Sequence, residues 1–422
     1  MLVVGGGPAG TTAANLLARS GRDVLLLDRA EFPRDKVCGD GLAPRSVRAL
    51  QELGLESEVR AAGYRPLSDY RITSTWGETI QAGLPGFGKG PPYTYVIARR
   101  HLDFMLLSAA GRQGVRVMEG ARALRLDSPP EEPQVLVRTR EGETMRILPR
   151  VVIAADGSRA SFSRTVVGSV RVEPYAVAMR AYLQGVEGVD DALAFFLDRW
   201  LLPGYGWIFP PSKPGDPHNV GVGMSLAGLR RGRHHIRELF DRFVGGASAA
   251  APHLHRAELI GPPASFPLNL DFSKGIRRKG AVLLAGDAAN LVDPLSGEGM
   301  AYAFESGRSA AESTERYLQS GDPAALSGYE TAVWKTLSPE FGAAWLLRQF
   351  LVRPCGNGAM IRLMLKDEGI ARGGMGVLSN SVPASWLVRP LVWRRVLAPA
   401  RVRRLLGRPP CRPAQGKTKT AG

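Results

Sequence analysis

The stretch "LVVGGGPAGTTAANLLARSGRDVLLLDR", Leu2 to Arg29, decides the fold class. Leu2 to Val4 are apolar without alternation, as in a strand buried on both faces. Glycines and Pro8 break that run, a helical pattern follows, and "DVLLLD" supplies a second buried strand. Strand, turn, helix and strand form the first crossover of a parallel α/β sheet. Gly5, Gly7 and Gly10 match G-x-G-x-x-G. These glycines permit the tight turn, the approach of a pyrophosphate and close helix–strand packing. Pro8 and Ala9 open the helix, whose free N–H groups would meet the phosphate charge. Asp28, eighteen residues after Gly10, is placed to accept hydrogen bonds from an adenosine ribose, with Arg29 beside it.

The 422 residues suffice for two or three domains, with 44% apolar and 22% charged residues. No internal repeat and no apolar window of membrane-spanning length is present. The first strand stands almost at the amino terminus, so we expect no signal peptide and a natural start a few residues earlier. Cys38, Cys355 and Cys411 are far apart and lack metal-ligand spacing, which suits a reduced cytoplasmic setting. Of the net charge of +16, the residues after Glu368 carry +11. The basic character therefore belongs mainly to the carboxyl-terminal segment.

Three later segments separate FAD from NAD. "VIAADGS", with Asp156 and Gly157, resembles the Asp-Gly motif of the p-hydroxybenzoate hydroxylase superfamily of flavoproteins. "VLLAGDAANLVDPLSGEGM", Val282 to Met300, resembles the superfamily's Gly-Asp motif, in which the aspartate binds the FAD ribityl chain. Gly286 and Asp287 match it; Pro294, Gly297, Gly299 and Met300 then open a helix aimed at the isoalloxazine. "VIARRHLD" resembles the segment whose arginine contacts the flavin nucleotide, here Arg99. The resemblance spans most of residues 1 to 320 and implies FAD as cofactor. No second G-x-G-x-x-G follows a strand, so a dedicated NAD(P)H domain is not expected.

"FPRDKVCGDGLAPRSVRALQELGL", Phe32 to Leu55, narrows the class. Pro33, Lys36, Cys38, Gly39 and Gly41 match P-x-x-K-x-C-G-x-G of the geranylgeranyl reductase family, which saturates isoprenoid double bonds. "LPGYGWIFPP" adds Tyr205, Trp207, Phe209 and Pro210, matching that family's Y-x-W-x-F-P, and Gly221-Val222-Gly223 resembles its later G-x-G. The gap between Pro210 and Gly221 is longer than in archaeal members, which loosens any carry-over of substrate detail. Within the family the first segment looks most like the bacterial menaquinone reductases. Two rivals share the fold. Flavin halogenases carry W-x-W-x-I-P in a comparable place, and aromatic monooxygenases share the FAD motifs but lack K-x-C-G.

The resemblance implies catalytic roles for Cys38, Tyr205, Trp207 and Phe209, and FAD contacts for Cys38 and Gly39 as well as the residues above. Tyr205, Trp207 and Phe209 share one face of a strand, because side chains at i, i+2 and i+4 do. Ring faces suit both an isoprenoid chain and a developing tertiary cation, provided that the wall faces the flavin rather than a core. Lys36 beside Cys38 is expected to favour its thiolate. The proton donor is not identified. Neither is the electron donor, NAD(P)H or a ferredoxin-like protein. The histidines at 234, 235, 253 and 255 read as surface residues without acidic partners, and no metal is expected.

The expected architecture is α/β: a p-hydroxybenzoate hydroxylase-like FAD-binding Rossmann domain, an antiparallel β-sheet substrate domain and a carboxyl-terminal helical region. The FAD domain takes residues 1–65, 96–165 and 275–325; the sheet takes 66–95 and 166–274. Helices occupy 326–408, and 409–422 are expected to be disordered. "SWLVRPLVWRRVLAPARVRRLLGR" mixes Trp386 and Trp393 with seven arginines, which suits an anionic membrane surface. We therefore expect a cytoplasmic protein held peripherally on the inner face of the membrane. Nucleic-acid binding lacks any motif and is not expected.

Overall fold

The computed structural model describes residues 1–168 and 175–388. The arginine-rich run beyond 388, Cys411 and the 409–422 tail lie outside the described residues.

Leu2–Val4 stands inside a six-stranded sheet. The order is Arg278–Lys279, Val282–Leu284, Val152–Ala154, Leu2–Val4, Leu25–Leu27, Arg116–Met118. Neighbours run parallel except the edge pair formed by Arg278–Lys279 and Val282–Leu284. Leu2, Val3, Ile153 and Leu283 are fully buried, which explains why these strands show no alternation. Helix α1 (Pro8–Arg19) starts on a proline and has no side-chain cap. Its first amides are therefore left for a ligand. A Cβ on Gly10 would stand 1.9 Å from the Gly5 oxygen, so the helix can lie on the turn only with glycine there. Helices α2 (Arg99–Arg112) and α3 (Met300–Ser320) pack beside α1. A three-stranded antiparallel sheet, Arg122–Leu126, Val135–Arg138 and Thr144–Ile147, sits between two of the parallel strands in sequence.

The second sheet has seven strands in the order Glu258–Leu268, Ala176–Gln184, His218–Ser225, Tyr205–Phe209, Ala192–Phe196, Asp69–Thr73, Thr79–Gly83. It is antiparallel except where Ala192–Phe196 runs parallel to Asp69–Thr73, a strand from the earlier insertion. One face is a covered core. Met179, Ala181, Leu183, Ile208 and Val222 pack there with Leu239, Phe240 and Phe243 of the helix Ile236–Val244. Period two sends Ala178, Arg180 and Tyr182, and likewise Tyr205, Trp207 and Phe209, to the opposite face.

Helix α4 (Ala324–Leu351) joins the two halves. Leu326, Tyr329, Val333, Leu337 and Phe341 pack into the core of the parallel sheet, and Ala344 and Leu347 continue into a cluster with Val377 and Leu387. Helices α5 (Pro354–Met364) and α6 (Glu368–Leu378) then cover the free face of the seven-stranded sheet through Ile361, Met364, Ile370 and Met375. Among the described residues no helix is long and apolar enough to cross a membrane.

Candidate active site

Two cavities meet between the sheets. The larger, about 500 Å³, lies at the carboxyl ends of the parallel strands, where ligands sit in such sheets. Its wall carries Gly5, Gly7, Pro8, Ala9, Asp28 and Arg29, then Arg99, Asp156, Gly157, Gly286 and Asp287. Gly10 reaches neither cavity and serves the helix–turn contact instead. The Asp28 carboxylate is fixed at its strand end by the amides of Gly6 at 2.7 Å and Ala30 at 2.9 Å.

Arg99 donates twice to Asp103, both at 2.8 Å. Arg34, which sequence reasoning missed, donates to the same carboxylate at 2.8 Å. A Cβ on Gly7 would lie 3.9 Å from Arg99 Nη2 and 4.0 Å from Arg34 Nη2, so two guanidiniums stand over the start of α1. Asp156 lines the cradle and is anchored from behind. Its carboxylate accepts from the Phe162 amide at 2.8 Å and from Ser163 Oγ, which ties it to the helix Ser161–Val167.

These walls fit a flavin dinucleotide. An uncapped helix start and two guanidiniums suit the pyrophosphate, Asp28 suits the adenosine ribose, and Asp287 stands at the junction where a ribityl chain would pass. Lys36 Nζ lies 3.2 Å from Asp287 Oδ2, a contact that the sequence reading did not foresee.

Pro8, Lys36, Arg99 and Asp287 belong to both cavities. The second, about 220 Å³, is bounded by Cys38, Gly39, Tyr205, Trp207, Phe209, Pro294, Gly297, Gly299 and Met300. The three aromatics line this space on the face opposite Ile208 and Val222, where Trp207 and Phe209 also pack in a buried cluster with Tyr70, Ile72 and Leu193. Ring centroids are 6.1 Å apart for Tyr205 and Trp207 and 6.2 Å for Trp207 and Phe209. Phe195 on the neighbouring strand extends the wall, 5.1 Å from Phe209. A Cβ on Gly221 would stand 2.2 Å from Trp207 Cζ2, so the first glycine of G-x-G makes room for the indole. Tyr205 donates its hydroxyl to the Ser296 carbonyl, which fastens the wall to the loop before α3.

A buried polar cluster holds the other side. Trp207 Nε1 donates to Asn219 Oδ1 at 2.9 Å. Asn219 Nδ2 donates to the Cys38 carbonyl and to Asp40 Oδ2, both at 2.8 Å. Tyr182 donates to the same Asp40 oxygen at 2.7 Å, and the Arg99 amide reaches Oδ1 at 3.3 Å. Burial pushes the Asp40 carboxyl up to about 6 against the pull of Tyr182 and Asn219. Glu298 lines the cavity just before α3, with Oε1 accepting from the Ala301 amide at 2.7 Å. Burial, assisted by the nearby Asp293, raises it to about 7 despite the helix amides and Arg45.

Cys38 differs from expectation. Burial pushes its thiol upward, outweighing the opposing effect of Arg99 and the smaller one of Lys36, whose ammonium faces Asp287. The thiol, not the thiolate, is the favoured form. The histidines differ too: His234 lies 3.8 Å from Glu238, His255 lies 3.9 Å from Glu187, and His235 caps the helix Ile236–Val244. Among the described residues no cluster of His, Cys, Asp or Glu could hold a metal ion.

Comparison with known proteins adds the following. Residues 1–189 match the FAD binding domain family model. The chain is 33% identical to menaquinone reductase of Mycolicibacterium smegmatis, over 93% of this chain and 95% of that protein. It is 29% identical to digeranylgeranylglycerophospholipid reductase of Methanothrix thermoacetophila, over 93% and 99%. A geranylgeranyl bacteriochlorophyll reductase-like protein from Thermoplasma acidophilum superposes with a TM-score of 0.75 at 24% identity, covering 96% of this chain and 98% of that one.

Proposed function

The chain belongs to the geranylgeranyl reductase family of FAD-dependent flavoproteins, and from that premise we propose that it saturates an isoprenoid double bond of a prenyl lipid such as the menaquinone side chain. The observation that carries this reading is the wall of Phe195, Tyr205, Trp207 and Phe209, which faces a cavity continuous with the dinucleotide cradle. We assign cofactor binding to residues 1–65, 96–165 and 275–325. Lipid enclosure falls to the sheet of 66–95 and 166–274, together with the helices that follow.

An isolated trisubstituted alkene is not polarised, so proton delivery to its less substituted carbon must accompany hydride capture at the tertiary carbon. Bound FAD, once reduced, supplies the hydride. Pro8, Arg34, Arg99 and Asp287 would hold the flavin dinucleotide, and the aromatic faces would exclude water while stabilising positive charge on the tertiary carbon. Two buried carboxyls could supply the proton. Asp40 already accepts bonds on both oxygens, an arrangement that suits a carboxylate. Glu298, at about 7, is still about half protonated at neutral pH and faces the cavity, and we assign it the general acid role. Cys38 remains a neutral thiol lining the cavity.

We further propose that the protein works on the anionic inner face of a membrane. Trp345, Leu346 and Phe350 are exposed on α4, the helix whose buried side walls the lipid cavities. Chemically reduced protein given a prenyl quinone should return, after the ring is reoxidised, a lipid whose prenyl tail carries two more hydrogens; an unchanged tail from folded, FAD-loaded protein would rule the reading out.

A further inference from the structure

Arg348 lies on the inner side of α4 and is 8% exposed. Its Nη1 has no acceptor among the described residues. The other buried arginines each have an oxygen acceptor on the guanidinium, although Nε of Arg180 and of Arg277 is likewise without a partner among the described residues. Arg45 faces Glu305 at 2.8 Å, Arg99 faces Asp103 at 2.8 Å, Arg180 faces Asp35 at 2.6 Å, and Arg277 donates to two backbone carbonyls. What surrounds the Arg348 guanidinium is aromatic: the ring centres of Tyr175 at 4.8 Å and Trp345 at 5.6 Å. Burial pushes its pKa below the usual arginine value, while Tyr175 beside it acts in the opposite sense. A desolvated guanidinium that hydrogen-bonds Tyr175 and has Asp293 only as a nearby charge retains Nη1 as a donor for an incoming acceptor.

Its place in the fold says which acceptor. Arg348, Tyr205 and Phe195 line both the aromatic-walled cavity and a further apolar cavity of about 100 Å³. The latter extends between Leu347, Leu351, Met360 and Met364. A prenyl chain matches these apolar walls, and its polar head is the part that needs a donor. We propose that Arg348 is a head-group site, donating a hydrogen bond to a neutral carbonyl oxygen of the ring that carries the prenyl chain. The charge count favours a neutral quinone-type carbonyl over a diphosphate. One guanidinium, which already feels the charge of Asp293, cannot offset several more negative charges, and the nearby Arg45 is held by Glu305 and Glu340.

This inference rests on the prenyl-lipid reading, and the test separates the two. Oxidised, FAD-loaded full-length protein is titrated without turnover, following tryptophan fluorescence. The probes are a menaquinone with a two-isoprene tail, geranylgeranyl diphosphate, and a geranylgeranyl-length hydrocarbon without a head. Arg348→Gln should weaken menaquinone binding about tenfold, as for a lost charge-assisted hydrogen bond. It should leave hydrocarbon affinity and FAD content unchanged, and Arg348→Lys should fall between. Unaltered menaquinone binding in Arg348→Gln, or equal weakening of quinone and hydrocarbon, would overturn the site. Diphosphate binding that is tighter than quinone binding and sensitive to Arg348→Gln would overturn the neutral-carbonyl assignment. If wild-type protein binds none of the three, the prenyl-lipid reading falls and the site with it.

Discussion

Glu298, a carboxyl group at about 7, lines the cavity that holds the aromatic wall. Besides its own helix start, Asp293 raises Glu298 and Arg45 lowers it, while Glu298 in turn raises Tyr70 and Tyr205. If Glu298 donates the proton, the single-turnover rate should be flat below about pH 7 and fall roughly tenfold per pH unit above it. Glu298→Gln should slow the reaction by on the order of a hundredfold and flatten that profile. Stability gives an independent readout. The folded-state value lies above the ordinary glutamate value, so its stabilising contribution is full below the ordinary value and lost as pH rises through about 7. Wild-type protein should therefore lose melting temperature relative to Glu298→Gln between pH 5 and 7. An unchanged profile and an unchanged difference in melting temperature would remove Glu298 from the mechanism.

At the scale of elements, the strand Tyr205–Phe209 shows what could be read from sequence and what could not. Its period of two placed the three rings on one face, and the Gly-rich turn before α1 was equally legible, because both signals are local. The partners were hidden. Asn219 touches Cys38 across 181 positions, and Asp40 meets Tyr182 across 142, so no spacing rule links them. Arg34 stood inside the quoted P-x-x-K-x-C-G-x-G segment, yet only the fold brings it over Gly7. The thiolate expected at Cys38 failed for a related reason: adjacency of Lys36 in sequence does not measure burial. Gly221 tests the element directly. Gly221→Ala would drive a methyl into the Trp207 indole, and overpacking of this kind costs about 1–3 kcal/mol. We expect FAD content to hold while prenyl reduction drops at least tenfold, because the wall is displaced and the cradle is not. Wild-type turnover in a folded Gly221→Ala protein would show that the indole's position is immaterial.

At the scale of the whole molecule, α4 links the parallel sheet, the lipid cavities and the exposed Trp345, Leu346 and Phe350. The residues after Glu368, which include the arginine-rich run, carry +11 of the net charge of +16. Full-length protein should float with anionic liposomes at low salt and partly detach at high salt, since charge attraction at a leaflet is screened. Removing residues 385–422 should weaken flotation while leaving bound flavin; equal flotation would place the anchor elsewhere. The fold alone does not choose between a reductase, a halogenase and a monooxygenase, because one scaffold hosts many chemistries. The most direct measurement is a single turnover of dithionite-reduced protein with a prenyl quinone under strict anaerobiosis. The account predicts reoxidation of the flavin with one alkene saturated per flavin, slowed strongly in Trp207→Ala without loss of FAD. A flavin that stays reduced until oxygen is admitted, followed by hydroxylated or halogenated product, would contradict it.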